Sequence, residues 1–500
     1  GGTTRLVRKL GAMAASPLLL EGKLHDPKKA KAAGVVDEVV PADHLIEKAR
    51  EWVLSNPEIV KPWDDKGYKM PGGAPYHPAG FMTFVGASAM VNGKTQGAFP
   101  AAKALLSAVY EGAMVPFDTA IKIEARWFTN VLLNPSSEAM IRSLFINKEA
   151  LEKGANRPAV IDQKVKKVAI IGAGMMGAGI ALVSALAGIE VVLIDAKQEA
   201  AEKGKSYAAD YMDKGIARKK ATPEKKEAVL GLIMATTDYD ALKGCDLIVE
   251  AVFEDVGVKA EVTAKVQAVT GADCVFATNT STLPITQLAK AAMDAKRFIG
   301  IHFFSPVDKM LLVEIIKGNQ TGDVAVAKAL DFVRQIRKTP IVVNDERFFY
   351  ANRCILPYVN EGVRMLQEGV APALIENAAK LLGMPLGPLQ LTDETSIDLG
   401  VKIAKATKIA MGDAYDDTAD ELIFWMADAG RLGRKANAGF YDYDQKGKRQ
   451  GLWDGLGKRY PLADVQPDLH LVQHRLMFSQ VLEAVRALEE GVLEDIREGD

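Results

Sequence analysis

The chain has 500 residues, too many for one hydrophobic core, so we expect roughly two to four domains. Its 62 Lys and Arg residues nearly balance its 64 Asp and Glu residues, and a net charge of −2 argues against a protein that coats nucleic acid. Three widely separated cysteines form no CxxC motif and no Cys/His cluster, which predicts no disulfide framework, no metal site and a reducing, cytoplasmic location. No run of about eighteen uncharged apolar residues occurs, so no transmembrane helix is expected.

The first third of the chain is predicted to be mostly helical. Residues 1–53 favour helices with one short strand at GVVDEVV (34–40), and the Pro-, Gly- and aromatic-rich stretch 61–80 predicts an extended linker. A helical region is expected from about 98 to 153. Its amphipathic stretch FDTAIKIEARWFTNVLL is interpreted as a helix that packs between domains rather than as a site.

Strand–helix alternation begins at Val165 and predicts a Rossmann-type, doubly wound, mostly parallel sheet. The expected strands are 167–172, 190–195, 247–252, 274–280, 297–303, 311–316 and 340–343. After Asp345 the pattern predicts helices to the end of the chain, interrupted near 383–388 and 430–460.

An internal repeat lies in this helical part. NEGVRMLQEGV (360–370) and LEAVRALEEGV (482–492) are identical at seven of eleven positions at an offset of 122 residues, which also places Arg353 on Arg475. Two copies of one helical domain explain this match better than generic helix composition does. The second copy has His474 where the first has Asn352.

The stretch GAGMMGAGI (172–180) has the GxGxxG spacing of a dinucleotide-binding turn, between an apolar strand and a predicted helix. In such a turn Gly172 allows a tight bend, Gly174 lets a pyrophosphate approach the backbone, and Gly177 permits close packing of helix and strand. Asp195 ends the next strand, where a carboxylate meets ribose hydroxyls and repels a 2′-phosphate, so we predict NAD rather than NADP. The alternative is a glycine-rich turn without a ligand.

His302 is the candidate acid–base group. Among six histidines it alone ends a predicted strand of the sheet domain, and twelve residues later Glu314 lies in the apolar run LLVEII. A buried carboxylate needs a partner, and a histidine on a neighbouring strand is the nearest candidate. Such a pair raises the proton affinity of the imidazole and fixes its tautomer, which suits a general base for an alcohol. The alternative is a core His–Glu hydrogen bond without a catalytic role.

Several motifs resemble the L-3-hydroxyacyl-CoA dehydrogenase family in consistent order over about 165–445: GAGMMG, VVLID, VEAVFED, TNTST, HFFSPV, LVEII, the NR of YANR, and GFYDY. The resemblance implies that His302 takes the 3-hydroxyl proton, that Glu314 stabilises the imidazolium, and that the C3 hydride passes to NAD to give 3-ketoacyl-CoA. It also implies that Ser281 and Asn352 orient the substrate. One departure is Ser305, where many relatives have Asn.

The resemblance extends the cofactor site beyond the glycines and places Glu250 near the nicotinamide. The expected cofactor-binding residues are Gly172, Gly174, Met175, Met176, Gly177, Asp195, Glu250 and Asn279.

The first residues, GGTTRLVRKLGAM through GVVDEVVP, resemble the closing part of an enoyl-CoA hydratase (crotonase) domain, with Thr4 in place of the usual Gln. The glutamates of that family would lie upstream, so no hydratase site is assigned here. The chain lacks an initiator Met and stops within a helical pattern, which favours a fragment of a longer protein. The whole arrangement, including PWDDKGYKMPGG, resembles multifunctional fatty-acid β-oxidation subunits, which implies a thiolase partner and an oligomer.

We therefore expect a crotonase remnant at 1–55, linker and connecting helices at 56–164, a Rossmann domain at 165–344, a first helical copy at 345–460 and the start of a second copy at 461–500. Two alternatives to a hydroxyacyl-CoA dehydrogenase stay open. One is a dehydrogenase of a hydroxy acid that carries no CoA, and the other is a non-catalytic assembly subunit that retains the nucleotide fold.

Overall fold

The computed structural model describes residues 1–271 and 273–500. Its chain divides into two compact units, one made of Gly1–Met140 with Pro372–Gln390 and the other of Ile141–Ala371 with Leu391–Asp500. No described helix is long and apolar enough to cross a membrane.

The beginning of the chain is helical, as predicted. The helices are α1 (Gly2–Leu10), α2 (Ala12–Leu20), α3 (Pro27–Ala32), α4 (Leu45–Ser55), α5 (Pro78–Thr95), α6 (Pro100–Gly112), α7 (Phe117–Leu132), α8 (Pro135–Ile141) and α9 (Lys148–Glu152).

Two local predictions for this part are wrong. Residues 34–40 do not form a strand, because the described residues of this unit are helical and offer no second strand to pair with. The helix α5 begins inside the stretch predicted to be an extended linker. Pro78 occupies its first turn, where a missing N–H costs nothing and the fixed φ favours a helix.

The second unit contains a sheet of eight strands. They are β1 (Lys167–Ile171), β2 (Glu190–Ile194), β3 (Ile233–Thr236), β4 (Leu247–Glu250), β5 (Val275–Thr278), β6 (Phe298–Phe303), β7 (Leu312–Lys317) and β8 (Thr339–Asn344). Their order is β3-β2-β1-β4-β5-β6-β7-β8, and every neighbouring pair is parallel except β6 and β7. The predicted doubly wound, mostly parallel sheet is therefore confirmed. The short edge strand β3 was not predicted, because its four residues carry too little apolar pattern.

Helices cover both faces of this sheet. They are α10 (Met175–Leu186), α11 (Gln198–Ala217), α12 (Pro223–Gly231), α13 (Val256–Thr270), α14 (Ile285–Leu288) and α15 (Asp323–Gln335). Along β1, Val168 and Ile170 join the core on one face, while Ala169 and Ile171 join the core on the other. Burial on both faces explains why these strands are continuous apolar runs.

The remaining helices are α16 (Ala351–Gln367), α17 (Pro372–Leu381), α18 (Pro388–Thr395), α19 (Ile397–Met411), α20 (Asp420–Asp428), α21 (Gly455–Arg459) and α22 (Leu469–Glu489). The expectation of helices alone after Asp345 is wrong at one place. There β9 (Tyr441–Tyr443) and β10 (Arg449–Leu452) form an antiparallel pair. The Asp393 carboxylate accepts the amides of Phe440 and Tyr441, which fixes where this pair starts.

The repeated helices α16 and α22 pack against each other through reciprocal ion pairs. Arg353 of the first copy contacts Glu483 and Glu490 of the second. Arg475 of the second copy contacts Glu361 and Glu368, the residues at the same positions of the first. This two-way exchange supports the interpretation of the repeat as two copies of one structural unit.

Candidate functional site

The glycine turn lies where the strand order reverses, between β1 and β4. Gly172 has φ +99°, and a Cβ there would lie 2.6 Å from the Ala251 carbonyl oxygen. At Gly177 a Cβ would lie 1.8 Å from the Gly172 oxygen, so only glycine lets α10 approach the strand. Nothing lies within 4 Å of the Cβ position of Gly174, so the backbone before α10 is open to a phosphate group.

Asp195 follows β2 beside this turn. Its Oδ2 accepts the Ala173 amide at 2.8 Å, and its Oδ1 accepts the Ala196 amide at 2.8 Å. The carboxylate is therefore fixed to the glycine turn itself. A half-buried carboxylate in this place fits the ribose of NAD and disfavours a 2′-phosphate.

His302 and Glu314 form a buried pair across β6 and β7. The antiparallel register sets them directly opposite each other, and His302 Nδ1 lies 2.6 Å from Glu314 Oε2. His302 is 6% exposed and Glu314 is 0% exposed. Because Nδ1 is engaged, Nε2 is the ring nitrogen left to exchange a proton with a substrate. The Phe304 ring, 4.4 Å from the imidazole between centroids, packs beside it.

The second carboxylate oxygen of Glu314 is bound by the start of α16. Glu314 Oε1 accepts the amides of Tyr350 at 3.1 Å and Ala351 at 2.7 Å. The carboxylate thus bridges the imidazole and a helix N-terminus, whose dipole favours negative charge. A buried anion with donors on both oxygens is suited to stabilise an imidazolium.

Ser281 and Asn352 also lie together. The Asn352 side-chain amide donates to the Ser281 carbonyl at 3.1 Å, so the second residue of α16 is joined to the loop after β5. The Ala351 amide donates to Glu314, which contacts His302, and Asn352 contacts Ser281. The start of helix α16 therefore connects all four predicted catalytic residues.

Sequence reasoning missed Glu254, which organises the loop after β5. Its Oε1 accepts the Thr280 hydroxyl at 2.6 Å and the Ser281 amide at 2.9 Å. Burial alone would raise the pKa of the Glu254 carboxyl, but Lys259 and these hydrogen bonds outweigh burial and lower it. The sequence signal that could have indicated Glu254 is the acidic pair Glu254–Asp255 at the end of VEAVFED.

Glu250 lies deeper than a direct cofactor contact requires. It is 1% exposed, pairs with the buried Lys259 at 2.9 Å, and accepts the Thr278 hydroxyl at 2.7 Å. Its carbonyl also accepts the Asn279 amide at 2.7 Å. These contacts suit a residue that positions the strand ends of β4 and β5.

The other predicted residues lie at the same edge of the sheet. Asn279 Oδ1 accepts the Phe303 amide at 2.9 Å, which ties the end of β5 to the end of β6. Met175, 70% exposed, opens α10 and contacts the Ser305 hydroxyl through its sulfur at 3.8 Å, while Met176 packs against the core. Within 1–271 and 273–500, no group of three or more His, Cys, Asp or Glu side chains could hold a metal ion.

A glycine turn open to a phosphate group, the Asp195 carboxylate beside it and a buried His–Glu pair thus share one sheet edge. Together they define an NAD-dependent oxidoreductase built on a doubly wound α/β sheet. Residues 167–346 match the family "3-hydroxyacyl-CoA dehydrogenase, NAD binding domain", and residues 349–443 match "3-hydroxyacyl-CoA dehydrogenase, C-terminal domain". Residues 1–58 match the family "Enoyl-CoA hydratase/isomerase".

Similar proteins agree with these matches. The chain is 36% identical over 507 residues to a fatty acid oxidation complex subunit alpha of Shewanella frigidimarina, covering 100% of this chain and 70% of that protein. Among solved structures, (S)-3-hydroxybutyryl-CoA dehydrogenase from Ralstonia eutropha is 36% identical with a TM-score of 0.54, covering 56% of this chain and 100% of that one. The 3-hydroxybutyryl-CoA dehydrogenase from Escherichia coli is 26% identical with a TM-score of 0.57, covering 67% of this chain and 87% of that one. The chain belongs to the 3-hydroxyacyl-CoA dehydrogenase family, in the arrangement of the fatty acid oxidation complex alpha subunits.

Proposed function

We propose that the protein oxidises (S)-3-hydroxyacyl-CoA thioesters to 3-ketoacyl-CoA in fatty-acid β-oxidation. The observation that carries this proposal is the buried His302–Glu314 pair at the sheet edge that also holds the glycine turn. NAD, when bound, supplies the hydride acceptor for C3 of the substrate.

His302 acts as the general base. Its Nε2 takes the proton of the 3-hydroxyl while Nδ1 keeps its hydrogen bond to Glu314. The imidazole becomes positively charged, and the Glu314 carboxylate 2.6 Å away stabilises that charge in a site from which water is largely excluded. As the proton leaves the 3-hydroxyl oxygen, that oxygen gains negative charge and forms the C3 carbonyl, which lowers the barrier for loss of the hydride from C3.

Asn352 and Ser281 orient the acyl group at this base. The Asn352 side-chain amide donates to the Ser281 backbone carbonyl, which joins the start of α16 to the loop after β5 and keeps the two residues next to each other. The cofactor site is proposed to comprise the glycine turn, Asp195 and the strand-end residues Glu250 and Asn279, of which Glu250 acts by positioning.

The experiment is to follow NADH absorbance after adding a 3-hydroxyacyl-CoA and NAD. His302→Gln should lower kcat by about 10² or more, as loss of a general base does. His474→Gln is the matched control and should leave kcat unchanged, since His474 is exposed in the second copy. A His302→Gln enzyme with full activity would remove the proposed base.

The same assay separates the alternatives. A free 3-hydroxy acid that matches the CoA thioester in kcat/KM would favour a dehydrogenase of acids without CoA. Failure to bind NADH by fluorescence would favour an assembly subunit without catalysis.

A protein partner and a cytoplasmic location are also proposed. The Shewanella frigidimarina relative is named as the alpha subunit of a complex. The product 3-ketoacyl-CoA is the kind of thioester that a thiolase cleaves. A thiolase subunit is therefore the partner to test, by co-purification and by the mass of the assembly. A chain that stays alone in the presence of that subunit would contradict this part of the proposal.

A further inference from the structure

Two consecutive phenylalanines before α16 have left-handed backbones. Phe348 has φ +68° and Phe349 has φ +53°, values that residues with a side chain rarely adopt. Two such residues in succession persist only where the surrounding structure holds them, and conformations of this kind concentrate at functional sites.

The left-handed pair decides where α16 begins. The helix starts at Ala351, directly after the turn, so the amides of Tyr350 and Ala351 have no helical carbonyl to bond. Both amides donate to Glu314 Oε1 instead, at 3.1 and 2.7 Å. The other oxygen of the same carboxylate contacts His302 Nδ1 at 2.6 Å.

The second copy shows what the same helix does without the turn. At the repeat offset of 122, Leu469 corresponds to Arg347, and α22 already begins there. Asp468 caps this helix by accepting the amides of His470 and Leu471. The residues that correspond to Phe348 and Phe349 are helical in α22, and their free amides are satisfied locally.

We propose that the left-handed turn Phe348–Phe349 is a positioning device for the catalytic pair, because it stops α16 short so that its first amides hold Glu314 toward His302. This inference rests on the proposed function of His302 and Glu314. It adds that the strained backbone, rather than the phenylalanine rings alone, sets the geometry of the pair.

The two phenylalanines can be separated in the test. Phe349 is fully buried, and its ring centroid lies 6.0 Å from that of His302, so its removal would also open the site. Phe348 is half-buried and has the larger positive φ. Phe348 is therefore the position at which backbone conformation can be changed with the least loss of packing.

The experiment compares Phe348→Gly with Phe348→Val in the full chain. Both variants lose the ring, but glycine adopts a positive φ freely whereas a β-branched residue opposes it. We expect Phe348→Gly to keep kcat within about threefold and Phe348→Val to lower kcat by about ten- to a hundredfold, as small misplacements of a catalytic group do. KM and the Kd of NADH should change little in both.

Equal kcat values for the two variants would overturn the inference. So would a Phe348→Val enzyme that loses thermal stability but keeps kcat in its folded fraction, since a merely structural turn predicts that result. His302→Gln and Glu314→Gln are assayed in parallel. If they retain activity, the proposed function fails; if they lose activity while Phe348→Val matches Phe348→Gly, only the positioning inference fails.

A second variant tests the amide directly. Ala351→Pro removes the donor at 2.7 Å at the first position of a helix; because the preceding Tyr350 has αR dihedral angles that a following proline disfavours, thermal stability is measured together with kcat. Leu469→Pro makes the same change at the first position of α22 and is the control. We expect a loss of kcat with retained NADH binding for Ala351→Pro and unchanged kcat for Leu469→Pro. Unchanged kcat in both would contradict the inference.

Discussion

Helices α16 and α22 share a sequence and a packing interface but differ at their starts. Both end in the same way: Gly369 and Gly491 have positive φ, and the amides of Val370 and Val492 return to the carbonyls at equivalent positions of the last turn. At the other end, α22 is capped by its own Asp468, whereas α16 gives its first amides to Glu314.

The contacts that hold the two helices together are shared by both copies, whereas the contacts at the helix starts differ. The repeated residues Arg353 and Arg475, with their glutamate partners, serve packing and are the same in both copies. The residues at the two helix starts differ, and those of the first copy donate their amides to Glu314 of the proposed catalytic pair. Changes at equivalent positions of the two copies should therefore have unequal effects on catalysis and similar effects on stability.

The largest difference is expected at Asn352 and His474, which occupy the same repeat position. Asn352→Ala removes the donor to the Ser281 carbonyl and should lower kcat by about tenfold to a hundredfold, since substrate orientation is lost. His474→Ala should leave kcat unchanged. Steady-state kinetics on both variants test this. Equal losses of kcat would show that the second copy contributes to catalysis as much as the first does.

Next in size is the loss of the reciprocal ion pairs. Arg353→Met leaves Glu483, itself 14% exposed, with only the exposed Arg486 at 3.2 Å, also removes the ion pair with Glu490, and should cost about 2–3 kcal/mol of unfolding free energy. Arg475→Met should cost somewhat less, about 1–2 kcal/mol, because Arg475 is 28% exposed. Urea unfolding of the two single variants gives both values. A negligible cost at Arg353 would mean that the interface depends on apolar contacts alone.

Within the first copy, Asp393 should make stability depend on pH. Burial raises the pKa of the Asp393 carboxyl to about 6, although the amides of Phe440 and Tyr441 oppose the shift. The native state therefore holds the proton more tightly than the unfolded chain does. Stability should fall as pH rises from about 4 to 6, by about 2 kcal/mol relative to Asp393→Asn, and stay level above that range. Unfolding curves of both proteins across this range test it, and a difference that grows with pH would contradict the sign.

The smallest effect is expected at the cap of α22. Asp468→Ala removes the acceptor for two amides and should cost about 1 kcal/mol of stability. Because no catalytic group depends on this cap, kcat should stay unchanged. A loss of activity in Asp468→Ala would show that the second copy also contributes to the site.

Much of this architecture was predictable because strong local signals specify it. The glycine spacing fixes the turn at Gly172, and the apolar runs on either side of His302 and Glu314 predict two neighbouring buried strands. The register that sets those two residues opposite each other is a tertiary property, which the sequence pattern suggested but could not define. The short strand β3 and the helix α5 escaped prediction because their propensities are weak and packing decides them.

The left-handed turn was not predictable for a different reason. Phe348 and Phe349 are among the residue types that least favour positive φ, so local propensity predicts the opposite conformation. Only the buried Glu314, which needs donors for its second oxygen, explains why the backbone turns there. Glu254 was missed similarly, since its partners come from a loop that follows another strand.

The central claim is that Glu314, held by the start of α16, supports His302 as the base. Its most direct test is single-turnover NADH formation by Glu314→Gln, because glutamine keeps the size of the side chain but offers one acceptor where the carboxylate offers two. We predict a rate at least about 10²-fold below that of the unaltered enzyme, with an unchanged Kd for NADH. A rate within about threefold of the unaltered enzyme would contradict the account, since a stabilising charge should be worth far more.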